Sequence, residues 1–329
     1  MPKAEIHVHL EGATTAATYF EIAKRNGVVL DVDSLPQWHE LFKFTSFDHF
    51  IEVYVAATKC LRTPDDYALL IRRFAEQQAA LNVRYTESFI SCSLLANDLD
   101  RSAFLDVLLA GIRDAEDRLG IGLRFIADIS REIPQSQDRV LPLAIEGFKR
   151  GALLGIGLGG PEHGFPPELF ERTFRGAREA GLHVVAHAGE TVGTPSIIGA
   201  LDTLGAERIG HGVLSLDDPA LLARLRESQV PLEICPQSNY RVGIVAPGQA
   251  HPIRGLRDAG VYCTVNSDDP AMFETDLNNE YATLASQGFT WEELWALNLA
   301  TLDATFASDA DKRALKEQWS EMRSGWGDS

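Results

Sequence analysis

Cysteine is scarce in this chain, with four in 329 residues, at positions 60, 92, 235 and 263. They stand far apart and form no Cys-x-x-Cys, which argues against a disulfide framework or a thiolate zinc site and leaves buried, reduced thiols as the expectation. Basic residues are few as well: 30 lysines and arginines face 47 acidic residues, for a net charge of -17. Such a surface repels phosphate backbones and anionic membranes, so neither nucleic acid nor a membrane is expected as partner, and a small molecule is. No segment approaches the apolar length of a membrane span, and Met1-Pro2-Lys3-Ala4-Glu5 runs into the first motif with no apolar segment behind a basic head. A cytoplasmic protein is expected. Low-complexity runs, linkers and long repeats are also missing, which points to a single domain over residues 1–329.

What is present is a chain 45% hydrophobic and 23% charged, able to bury a full core. Apolar or β-branched runs at about 5–9, 82–90, 121–129, 152–158, 182–187, 206–211, 230–235 and 261–266 read as strands, several of them nearly continuous, as parallel strands buried on both faces should be. Helical patterns alternate with them. Leu105, Leu108, Ile112, Ala115 and Leu119 form one stripe, closed by Gly120; another starts at Pro166-Pro167, carries Phe170, Phe174 and Ala177, and stops at Gly181. Eight such units predict a (β/α)8 TIM barrel. The stretch between the first two strands holds helical patterns at about Thr15–Asn26, Phe47–Leu61 and Pro64–Leu81, too much for one crossover. These extra helices are expected to form a lid inserted after the first strand.

Short segments then supply a metal-ligand set. His7 and His9 alternate on the first strand and so point to one face; His187 ends the fifth strand; Asp268 follows the eighth. Three imidazoles and a carboxylate are what a catalytic zinc needs if one position is to stay open for water. His211 ends the sixth strand, so all five residues fall on the C-terminal rim, where barrel enzymes keep their chemistry. His39, His49, His163, His183 and His251 lack such context and read as structural.

The segments His7-Val8-His9-Leu10-Glu11-Gly12, His187-Ala188-Gly189-Glu190, Arg208-Ile209-Gly210-His211-Gly212, Cys235-Pro236-Gln237-Ser238-Asn239 and Asn266-Ser267-Asp268-Asp269-Pro270 resemble, in order, the motifs of the adenosine deaminase family of amidohydrolases. The resemblance spans nearly the whole chain. It implies a (β/α)8 barrel with one zinc per chain on His7, His9, His187 and Asp268, and hydrolytic removal of the 6-amino group of an adenine ring. By the same resemblance the backbone N–H of Gly160 approaches N3 of the purine. Physical chemistry gives the remaining residues roles. Zinc lowers the pKa of bound water to about 7, which supplies a nucleophile. Attack at C6 pushes charge onto N1, where a protonated Glu190 would neutralise it. His211 would hold or deprotonate the water, and Asp269 would hydrogen-bond N7.

Neighbouring chemistries fit less well. No lysine lies in Ala152 to Gly160 to bridge two metals, and Cys235-Pro236 lacks the Cys-x-x-Cys partner of the cytidine-type deaminases. Family members acting on adenosine commonly carry Asp where this chain has Glu11, so Glu11 is expected to set the choice of substrate near the ribose. The runs Gly157 to Glu162, Asn266 to Phe273 and Leu277 to Tyr281 look closest to bacterial members acting on aminodeoxyfutalosine. Arg241 is open as a partner for a substrate carboxylate or as a surface arginine, and Glu162 as a substrate contact or a solvated loop carboxylate. The leading reading is a deaminase of an adenine nucleoside, adenosine, deoxyadenosine or a 5'-modified one. Free adenine deamination, another zinc hydrolase opening a cyclic amide, and a catalytically silent metal-bound module stay open. Retention of both Glu190 and His211 speaks against the last, because a purely structural metal site needs neither.

Overall fold

The computed structural model describes residues 1–324 apart from Asp31, Asp33 and Thr45. Eight strands, β1 (Lys3–His9), β2 (Val83–Ile90), β3 (Gly122–Ser130), β4 (Gly155–Gly159), β5 (His183–Ala188), β6 (Arg208–His211), β7 (Leu232–Ile234) and β8 (Cys263–Val265), pair in that order. Every pairing is parallel. This is the expected TIM barrel with surrounding helices. Its strands read from sequence because each is buried on both faces, so apolar residues run on without alternation. All four cysteines are buried and unpaired. No helix among the described residues is long and apolar enough to cross a membrane.

β8 is only three residues long, and side chains complete its seam with β1. Asn266 Oδ1 accepts from the backbone N–H groups of Ile6 (2.9 Å) and His7 (3.2 Å), while Ser267 donates through its N–H and its hydroxyl to Glu5 Oε1. The backbone then closes the barrel, His9 N–H donating to the Asp268 carbonyl at 2.8 Å and Asp268 N–H to the His7 carbonyl at 3.1 Å. Asn266-Ser267-Asp268-Asp269 is therefore two fasteners followed by two carboxylates.

Between β1 and β2 lie the helices Ala16–Arg25, Phe47–Thr58 and Pro64–Ala80, as expected, and a fourth short one, Leu35–Glu40, which six residues were too few to reveal by periodicity. Buried Asp66 joins the capping box that starts Pro64–Ala80 and pairs with Arg25 and Asn26, pinning two of these helices together. Two expected helices differ in detail. The one carrying Leu105 ends in a π turn, Ala115–Leu119, before left-handed Gly120, and the one at Pro166-Pro167 begins as a 3-10 turn, Pro167–Phe170.

Candidate active site

His7 and His9 stand at the rim end of β1. His7 Nδ1 donates to Glu233 Oε2 at 2.7 Å, and Glu233 is itself paired at 2.7 Å with buried Arg208, so the ring is held with Nε2 aimed inward. His187 is fixed likewise, its Nδ1 donating to the Leu158 carbonyl at 3.0 Å. The inward nitrogens converge: His9 Nε2 lies 3.1 Å from His187 Nε2, and Asp268 Oδ1 is 3.3 Å from both His7 Nε2 and His9 Nε2. Gly210 permits this, since a Cβ there would meet His7 Cε1 at 2.7 Å. Buried His7 Nε2 has no hydrogen-bond partner among the described residues. Three inward imidazole nitrogens beside one carboxylate oxygen form a donor set that fits a cation, and backing through the other ring nitrogen, as at His7 and His187, is how metal-binding histidines are oriented.

His211 belongs to the same cluster. Ligand atoms of His7, His187, His211 and Asp268 lie within 4.8 Å of one another, as do those of His9, Asp268 and Asp269. His211 Nε2 faces the far oxygen of Asp268 at 3.8 Å and Glu190 Oε1 at 3.7 Å. Both His211 and Asp268 have left-handed backbone, with φ of +60° and +65°. Such strain in non-glycine residues costs about 1–3 kcal/mol each and is tolerated where the surroundings fix it. Burial holds the His211 imidazole down to about 3, and it pushes Glu190 well above the usual carboxylate range, with the Asp268 charge adding to the effect. Asp269 rises for the same two reasons. A Cβ on Gly12 would stand 1.7 Å from Asp269 Oδ1, so this glycine is the space that the carboxylate occupies.

These groups floor a cavity of about 560 Å³, counted out to and including the solvent at its opening. Phe47, Phe50, Ile51, Tyr54 and Val55, on one face of the helix Phe47–Thr58, make an apolar wall, joined by Phe273 against Phe50. The inserted helix Phe47–Thr58 is thus part of the site. Gly160 lines the cavity with φ +82°, and a Cβ there would lie 2.5 Å from Glu132 Oε2.

Glu11 does not line the cavity. Its buried carboxylate accepts from Ser91 N–H at 3.0 Å and Tyr54 Oη at 3.4 Å, two residues that do line it, and burial raises it to about 7. Glu162 is not a solvated loop carboxylate: buried, it accepts from the backbone N–H groups of Gly189, Glu190, Thr191 and Val192, and so shapes the loop that carries Glu190. Arg241 is half exposed, 3.6 Å from Glu274, and outside the cavity lining.

Sequence reasoning passed over Asp128 and Glu132, took His251 as structural, and met Asn239 only as part of a motif. Asp128 and Glu132, at and just beyond the end of β3, line the cavity; the rule that strand ends carry function, applied to the third strand, would have found them. His251 and Asn239 join His211 in a buried chain, His251 Nε2 to Asn239 Oδ1 at 3.1 Å and Asn239 Nδ2 to His211 Nδ1 at 3.3 Å. No local pattern signals a contact across twelve residues.

The family model for adenosine deaminase matches residues 2–322. The chain belongs to the adenosine deaminase family. It is 39% identical to the aminodeoxyfutalosine deaminase of Streptomyces avermitilis over 99% of this chain and 92% of that one. Among solved structures, the adenine deaminase of Arthrobacter aurescens superposes with a TM-score of 0.92 at 32% identity, covering 98% of this chain and 99% of that one. An amidohydrolase from Burkholderia ambifaria, solved with bound Zn, gives 0.88 at 28% identity over 98% and 90%. As a member of this metal-dependent family, the chain is a hydrolytic deaminase.

Proposed function

We propose that this member of the adenosine deaminase family removes the 6-amino group of an adenine nucleoside by zinc-dependent hydrolysis. One observation carries the reading: Glu190 and His211 face one cavity 3.7 Å apart, beside the cation donor set. His7, His9, His187 and Asp268 would hold one zinc, as suits a set of three nitrogens and one oxygen. When bound, that ion supplies a water acidic enough to attack at neutral pH. The apolar wall receives the flat purine. Glu190, whose carboxyl makes no hydrogen bond among the described residues, donates a proton to N1 as the water oxygen adds to C6. Asp269 holds N7 and the Gly160 N–H approaches N3, fixing which ring atom meets the water. The 6-amino group takes the proton that the attacking water gave up and leaves as ammonia, and as the C6 oxygen becomes a carbonyl its remaining proton restores Glu190.

Beyond the purine position the cavity is lined by Ser91, Asp128, Ser130 and Glu132. Hydroxyls and carboxylates suit the ribose hydroxyls. Among the described residues no lysine or arginine lines it, which disfavours a phosphorylated substrate. Adenosine, deoxyadenosine and 5'-modified nucleosides such as aminodeoxyfutalosine remain, the last supported by the Streptomyces relative. A substrate carboxylate would have to draw Arg241 from Glu274. The Arthrobacter structure favours free adenine as second reading. Incubation with adenine, adenosine, deoxyadenosine, methylthioadenosine and aminodeoxyfutalosine, followed by loss of the adenine absorption band, tests both. Turnover of adenine alone replaces the nucleoside with the base, and turnover of none removes the proposal.

A further inference from the structure

The chain from His251 to His211 has a direction, and its origin is a backbone amide. Ile253 N–H points at His251 Nδ1 at 3.1 Å, and a backbone N–H can only donate. His251 Nδ1 must therefore present its lone pair. The ring is 2% exposed, and burial alone holds it down to about 3, so it is neutral and its one proton sits on Nε2. That proton goes to Asn239 Oδ1. With its oxygen so engaged, the fully buried Asn239 amide turns its NH2 toward His211 Nδ1. His211 Nδ1 then accepts, which leaves the proton of a neutral ring on Nε2, facing Glu190 and Asp268.

We infer that His251 and Asn239 are positioning residues that lock His211 as an Nε2–H donor to the cavity. Reversal is blocked at every link. A His211 ring protonated on Nδ1 would oppose the Asn239 NH2; flipping Asn239 would set that NH2 against His251 Nε2–H; and moving the His251 proton to Nδ1 would oppose the Ile253 amide. His211 therefore holds a lone pair of the attacking oxygen and does not take its proton, which selects between the two roles open from sequence. The inference about catalysis rests on the proposed deaminase reading, whereas the tautomer does not.

The test is 15N NMR of the full zinc-loaded chain labelled at histidine, with His211→Gln and His251→Phe used for assignment. Unprotonated Nδ1 and protonated Nε2 are expected for both rings at neutral pH, and the opposite tautomer at His211 overturns the inference. In kinetics, His251→Phe should lower kcat about 10- to 100-fold with KM and zinc content nearly unchanged, because Asn239 is then free to flip. His251→Gln, which again offers an N–H to Asn239, should recover most of that loss. A wild-type kcat in His251→Phe, or a loss that comes with metal loss and is not rescued by Gln, overturns it as well. If the wild-type protein deaminates no adenine compound, the proposed function fails while the spectrum still decides the tautomer.

Discussion

A single methyl group is enough to test the purine side of the site. Placed on Gly12 it would fall on Asp269 Oδ1, so Gly12→Ala must push that carboxylate away from the cavity floor. Losing a hydrogen bond to such a group costs about 1.5–3 kcal/mol, so kcat/KM should drop roughly tenfold or more for every adenine compound alike, with zinc retained. A change confined to one substrate, measured over the panel, would assign Asp269 elsewhere. Glu190 and Asp268 should fail in different ways. Glu190→Gln keeps fold and zinc but removes the acid at N1, so kcat should fall by about 10² to 10⁴. Asp268→Ala takes one donor from the set and should lose zinc and turnover together. Metal analysis beside steady-state kinetics separates the two, and near-normal turnover in zinc-loaded Glu190→Gln would remove that residue from its role.

At the scale of elements, what could be read from the sequence and what could not divide along a physical line. The eight strands were legible because burial on both faces writes itself as a continuous run, and the rim histidines because alternate residues share a face. Glu162 was not legible: a loop carboxylate that gathers four backbone N–H groups has the same sequence as one in water. Glu11 was placed on the correct rim but one layer too near the cavity, since Ser91 and Tyr54 come from distant segments. Glu280 is a further case. On the helix Leu277–Ser286 it is fully buried and accepts from Gln237 N–H on the helix Pro236–Arg241 and from Thr275, and burial raises it to about 8. Because its folded value lies above the unfolded 4.5, the native state holds the proton longer, so stability falls as pH rises from about 4.5 to 8. Glu280→Gln keeps an acceptor and cannot ionise. Between pH 5 and pH 9 the wild type should lose more unfolding free energy than the variant, with an upper bound of roughly 1.4 kcal/mol for every pH unit crossed inside that window. Parallel denaturation curves at the two pH values would show that Glu280 ionises normally.

For the molecule as a whole, barrel closure and the proposed cation donors share the same few residues. The seam between β1 and β8 runs through the backbone of His7, His9 and Asp268, while their side chains turn inward as donors. A cation on those side chains would therefore grip both edges of the sheet just beyond the end of β8, and it would do so inside a chain whose net charge of -17 favours expansion. Binding to the native state alone adds about 2.7 kcal/mol when free zinc stands 100-fold above its Kd. Removing the metal with a chelator should accordingly lower Tm, abolish turnover and loosen amide protection first in β1 and β8. One equivalent of zinc should restore all three. β4, with the sequence Gly-Ile-Gly-Leu-Gly, offers no side chain to bridge a second ion, and a Cβ at Gly157 or Gly159 would meet Asp128 at 2.5 Å. Calorimetric titration of the metal-free protein, read beside Tm and activity, should end at one site per chain. Recovery that needs two equivalents would break the mononuclear site, and recovery of activity without any rise in Tm would separate the cation from the seam.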